Sequence, residues 1–120
     1  MSIRRAQIEA RKSCFKQHKV GAVIMKGSRL LSTGYNTRQY SHILGTATRH
    51  AESAAVLKLL KEGRQHDLVG ANCYVTRFTA GGTCSMARPC PVCYRLLQAT
   101  GIRKIYYTNE FGETTSERLN

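Results

Sequence analysis

Two short segments constrain this 120-residue chain more than anything else in it: His50-Ala51-Glu52 and, after 36 intervening residues, Pro89-Cys90-Pro91-Val92-Cys93. Each stands at the start of a predicted helix. Ala54, Ala55, Leu57, Leu59 and Leu60 follow the first segment with helical spacing, and Pro91, tolerated in a first helical turn, opens the second. A lone H-x-E is common by chance, and a lone C-x-x-C suits a redox pair equally well. In this order, at two helix starts, they make a metal-site pattern. Cys90 and Cys93 are three apart, so both sulfurs project to one side of a first turn. The unpaired N–H groups and positive dipole there favour thiolates, the form that binds zinc. His50 adds a neutral nitrogen. Two thiolates and one imidazole leave the fourth tetrahedral position open, as a catalytic zinc requires.

The combination H-x-E…P-C-x-x-C is the signature of zinc deaminases. Water at the open position is acidified towards neutral pH. Glu52, too close to His50 to need a ligand role, takes the water proton and passes it to the base ring and the leaving ammonia. The expected outcome is addition to an amidine-like carbon, then loss of ammonia. Two other readings compete. One is a closed zinc site with His18, His42, His66 or Cys84 as fourth ligand. The other is a metal-free disulfide-exchange pair, which the upstream His50 and Glu52 disfavour.

Composition narrows the class. The chain is 42% hydrophobic and 22% charged, as in a globular protein, and its length fits one domain over residues 1–120. No apolar run approaches the ~18 residues of a membrane span, and Met1-Ser2-Ile3-Arg4-Arg5 lacks the apolar stretch of a secretory signal. A cytoplasmic protein is expected. Five cysteines, an odd number, argue against a disulfide framework, and Cys14, Cys73 and Cys84 read as small buried hydrophobes. Lys+Arg 19 against Asp+Glu 7 gives +12, a surface that favours polyanions or phosphorylated substrates.

Along the chain, Ser2 to about Gln17 reads as a helix, with Ile3, Ala6, Ala10 and Cys14 on one face. Residues 20–25 and 29–35 read as a hairpin around Lys26-Gly27-Ser28. Residues 36–48 are polar and irregular. A helix over 51–61, a strand over 72–78, a short return over 83–87, a helix from Pro91 to about Thr100 and a strand over 102–108 complete the order α-β-β-α-β-α-β. Strand–helix–strand units at 29–78 and 72–108 predict a partly parallel sheet in an α/β domain.

On these residues the chain resembles the cytidine and deoxycytidylate deaminase superfamily over nearly its whole length. Lys19-Val20-Gly21-Ala22-Val23-Ile24 resembles its first strand, and Ser32-Thr33-Gly34-Tyr35-Asn36 its second. Tyr74-Val75-Thr76 resembles the strand leading to the zinc cysteines, and Gly101 to Tyr107 the strand after them. The resemblance implies a three-layer α-β-α cytidine-deaminase-like fold with a central mixed sheet of about five strands. It implies one zinc ion per chain on His50, Cys90 and Cys93, Asn36 on the sugar hydroxyl, and the backbone at Ala51 on the base carbonyl. Two departures stand out. Residues 77–88 form a Gly-rich excursion before the cysteines, and Arg88 stands where tRNA adenosine deaminases carry glutamate. The stretch after Thr108 also leaves little room for the long C-terminal helix of those editing enzymes.

The reading that follows is deamination of cytosine in a nucleotide, dCMP first, with Arg77 and Arg88, and also Arg38 and Arg49, as arginines that could meet the phosphate. One alternative applies the same chemistry to single-stranded DNA or RNA, where the +12 charge supplies affinity and Tyr35, Tyr40, Phe78 and Tyr94 could stack on bases. A second is a non-catalytic zinc-stabilised nucleic-acid-binding module, which has no use for Glu52. A homo-oligomer is compatible with a small subunit that exposes a sheet edge, and no membrane partner is expected.

Overall fold

The computed structural model describes residues 2–15, 18–37 and 50–120. Helix α1 (Ser2–Ala10) leads into the hairpin β1 (Lys19–Lys26) and β2 (Arg29–Tyr35). Helix α2 (Ala51–Lys61) and a 3-10 turn (Gln65–Leu68) precede β3 (Asn72–Phe78) and the short β4 (Cys84–Ser85). Helix α3 (Pro91–Ala99), β5 (Lys104–Thr108) and β6 (Thr114–Arg118) complete the order. The sheet runs β2-β1-β3-β5-β6, with β4 paired to β3. β1 is antiparallel to both β2 and β3, while β3 and β5 are parallel. The crossover expected over 72–108 is therefore a parallel pair joined through α3. β2 and β3 also run the same way, with β1 between them.

Strand β1 shows how the layers are built. Its side chains alternate, with Ala22 and Ile24 entering the larger core beneath α2 and α3 and Val23 and Met25 packing with Ala6 of α1. Gly21 and Gly34 mark where the helices come closest. A Cβ at Gly21 would lie 2.1 Å from the Ala6 carbonyl oxygen, and one at Gly34 would lie 2.3 Å from that of Ala51. The small-residue face read in the first helix is thus its seat on the sheet.

The structure departs from the sequence expectations at the end of the first helix and at the far edge of the sheet. α1 ends at Ala10 rather than near Gln17. There the Ser13 hydroxyl donates to the Asn36 carbonyl and accepts from the Phe15 N–H, which turns the chain towards the hairpin. The short return expected over 83–87 is present as β4, which folds the 77–88 excursion back on β3 and pairs Arg77 with Ser85 and Phe78 with Cys84. Finally, β6 extends the sheet where no element was expected. Among the described residues no helix is long and apolar enough to cross a membrane.

Candidate metal centre and active site

Both chemical motifs occupy helix caps. His50 is the N-cap of α2, with extended backbone (φ −75°, ψ 153°), and its carbonyl accepts from Ala54 N–H at 3.0 Å and the Ser53 hydroxyl at 2.9 Å. Cys90 is the N-cap of α3 (φ −62°, ψ 162°), followed by Pro91 in the first turn. Its Sγ accepts from the Cys93 N–H at 3.5 Å. The approach to Cys90 is anchored on the sheet: Ala87 N–H donates to the Thr108 carbonyl at 2.8 Å, and the Thr108 hydroxyl to the Ser85 carbonyl at 2.9 Å. The excursion before the cysteines therefore straps their helix start to β5.

These caps bring three ligand atoms together. His50 Nδ1 lies 3.2 Å from Cys93 Sγ and 3.8 Å from Cys90 Sγ, and the three atoms all fall within 4.8 Å of one another. Ligands on one tetrahedral zinc, at the usual Zn–S and Zn–N bond lengths, are separated by about 3.6 Å. The residues fit a zinc ion. Burial lowers the His50 pKa, which favours the neutral ligand form. Burial also raises the Cys93 thiol well above its ordinary value, with Glu52 adding to it. The helix terminus therefore does not make this thiolate by itself, and the charge of a bound cation is what would offset burial. Of the expected fourth ligands, His66 lies 3.6 Å from Asp67 on the surface, Cys84 receives Gln7 Nε2 at 3.7 Å and His18 pairs with Arg77. Among the described residues none joins the triad. His42 lies outside them.

Glu52, the second residue of α2, is buried, and desolvation pushes its carboxyl up to about 7, with its own backbone N–H pulling the other way. It lines a pocket of about 330 Å³ together with His50, Ala51 and Cys90, and Asn36, Arg77 and Arg88 line the same pocket. Two of the three metal ligands, the buried carboxyl and two arginines thus line one cavity. The cytidine and deoxycytidylate deaminase zinc-binding region, as a family, matches residues 2–109 of the sequence. The chain belongs to that family.

Its relatives agree. This deaminase is 33% identical over 128 residues to the deoxycytidylate deaminase of Mycobacterium phage D29, a match covering 88% of this chain and 89% of the relative. It superimposes on the dCMP deaminase of cyanophage S-TIM5 in apo form with a TM-score of 0.70 at 27% identity, covering 91% of this chain and 80% of the other. The cyanophage enzyme has also been solved in complex with dCMP and dUMP. Cytidine deaminase from Burkholderia pseudomallei shares the fold, with a TM-score of 0.73 at 22% identity over 98% of this chain and 90% of the other. The expected zinc-binding α/β hydrolase is thereby identified.

The expected substrate contacts of the deaminase are less simple than their positions suggested. Asn36 reaches the pocket, but its amide also clamps the preceding loop: Oδ1 accepts from Val20 N–H at 2.9 Å and Nδ2 donates to the His18 carbonyl at 2.6 Å. Arg77 Nη2 pairs with His18 Nδ1, and its buried Nε has no hydrogen-bond partner among the described residues. Arg88 is tied to Glu117 of β6 through Nε at 2.6 Å and Nη2 at 3.1 Å. Tyr94, expected to stack on a base, lies under the Arg88 guanidinium at 4.8 Å. Arg38, Arg49 and Tyr40 lie outside the described residues. Sequence reasoning missed Glu117 and also Phe15 and Met86 of the pocket wall. Met86 stands just ahead of the cysteine motif, whereas Phe15 and Glu117 carry no such signal.

Proposed function

We propose that this deaminase hydrolyses the 4-amino group of cytosine in a nucleoside monophosphate, dCMP first, with Glu52 as its proton shuttle and His50, Cys90 and Cys93 as its zinc ligands. One observation carries the reading: a single pocket of nucleotide size is lined by His50 and Cys90 of the metal triad and by the buried Glu52 carboxyl together with Arg77 and Arg88. The phage relatives act on the same substrate class. Zinc, when bound, supplies a Lewis acid that makes water nucleophilic near neutral pH. Glu52 accepts one proton of the attacking water and delivers it to the ring nitrogen, then takes the second from the hydroxyl of the adduct and delivers it to the departing amine as the C–N bond breaks. A buried carboxyl poised near neutrality suits both transfers. The Ala51 N–H, unpaired within the first turn of α2, would donate to the base carbonyl. Asn36 keeps a second Nδ2 hydrogen and a second Oδ1 lone pair for a sugar hydroxyl while it holds the loop.

The net charge of +12 favours a second reading, the same chemistry on single-stranded DNA or RNA. Deoxycytidine, dCMP and a cytosine-containing oligonucleotide, offered separately to the zinc-loaded protein, distinguish them. Uracil from dCMP in preference to the others is expected. Turnover of the oligonucleotide alone would sink the nucleotide reading. Binding of the oligonucleotide without turnover of any substrate would mark a non-catalytic module.

A further inference from the structure

Three side chains from other elements converge on Glu117, a residue of β6 outside the span the family matches. Arg88 donates to both its carboxylate oxygens, Nε to Oε2 at 2.6 Å and Nη2 to Oε1 at 3.1 Å. Tyr107 of β5 donates its hydroxyl to Oε2 at 2.6 Å, and Tyr94 of α3 donates to Oε1 at 3.4 Å. The guanidinium is thus gripped along its Nε–Nη2 edge and covered on one face by the Tyr94 ring. Its Nη1 has no hydrogen-bond partner among the described residues. Arg88 lines the pocket that holds His50 and Glu52.

We propose that Glu117 is a positioning residue for substrate: with Tyr107 and Tyr94 it locks Arg88 so that the remaining guanidinium edge reads the phosphate of the nucleotide. The inference rests on the nucleoside-monophosphate reading above. One effect opposes it, since Glu117 also neutralises the charge that would attract phosphate. Two facts decide the balance. The Arg88 side chain is 45% exposed, so the charge itself is largely screened. Arginine also carries more rotamer freedom than almost any side chain, and the network has removed it before substrate arrives. A preset donor edge gains more than an unpaired charge on a mobile stem.

The test measures kcat and KM for dCMP and for deoxycytidine, which lacks the phosphate. Glu117→Gln should raise KM for dCMP about fivefold to tenfold, keep kcat within about twofold and leave KM for deoxycytidine unchanged. Tyr107→Phe keeps the ring, removes one donor and should move KM for dCMP the same way by a smaller step. In an Arg88→Ala background, Glu117→Gln should add nothing. The proposal is overturned if Glu117→Gln keeps the full preference for dCMP, or if kcat falls alike for both substrates. A wild-type protein with no preference for dCMP would instead remove the underlying nucleotide reading, a failure visible before any substitution is made.

Discussion

Gly34→Ala should cost this protein both stability and activity, because Gly34 is where the helix carrying His50 and Glu52 sits on the sheet. Its φ is not in the left-handed region, so the added methyl acts through space alone. That Cβ would lie 2.3 Å from the Ala51 carbonyl oxygen and 2.7 Å from the Ala55 nitrogen. Both are backbone atoms of α2, and relief needs roughly 1 Å of helix displacement to restore ordinary contact. Interiors packed like crystals resist such shifts, and overpacking costs about 1–3 kcal/mol, with two backbone clashes pointing to the upper end. For a domain of this size that is a fall in Tm of about 10 °C. The same displacement moves His50 and Glu52 against Cys90 and Cys93, and misplacement by about 1 Å costs about 100-fold in kcat. Gly21→Ala is the control. Its Cβ clashes as severely, at 2.1 Å from the Ala6 oxygen and 2.3 Å from the Ala10 nitrogen, but the displaced helix is α1. Thermal melts and steady-state turnover of both variants should show similar losses of Tm and a much larger loss of kcat in Gly34→Ala. The reasoning fails if Gly34→Ala melts and turns over like wild type, or if Gly21→Ala loses as much activity.

Two further outcomes follow from single groups. Cys90→Ala removes a thiolate from the triad, so the purified protein should carry far less than one zinc per chain by elemental analysis; unchanged stoichiometry would show that the metal sits elsewhere. Glu117 is held down at about 2, chiefly by its hydrogen bond to Arg88 and then by that from Tyr107. A carboxyl lowered in the folded state stabilises above its unfolded value of about 4.5, and the benefit disappears as pH falls towards 2. Both side chains are partly exposed, so screening reduces the effect to about 1 kcal/mol. Denaturant melts should therefore show wild type more stable than Glu117→Gln at pH 6 and by a much smaller margin at pH 2.5, whereas a constant gap would place the effect in packing.

The metal site was legible because its determinants are local. His50, Cys90 and Pro91 are cap and first-turn residues, so the motif and the helix start are one signal, and two such starts on neighbouring helices meet over the sheet. The α2–β2 contact was half-visible, in a glycine within a strand and alanines at helical spacing. β6 was not legible. Thr114-Thr115-Ser116-Glu117-Arg118 has no apolar alternation because it is an edge strand with little to bury. Only its turn leaves a trace: Asn109 Oδ1 accepts from the N–H groups of Phe111 and Glu113, and Gly112 has φ +77°. The end of α1 was hidden for a different reason, since helical spacing continues to Cys14 while Ser13 bonds across the chain to Asn36. The arginines were visible as residues flanking motifs, but their partners His18 and Glu117 are 59 and 29 positions away. Long-range pairing of this kind has no periodicity to betray it.

Glu52 is what turns a zinc site into a deaminase in this account, so the most direct measurement compares wild type with Glu52→Gln on dCMP. Zinc content and release of dUMP and ammonia are followed on the same samples. Wild type should yield dUMP and ammonia in equal amounts. Glu52→Gln should keep its zinc and its fold while losing about 100-fold or more in kcat. A Glu52→Gln protein with full zinc and undiminished dUMP formation would contradict the account.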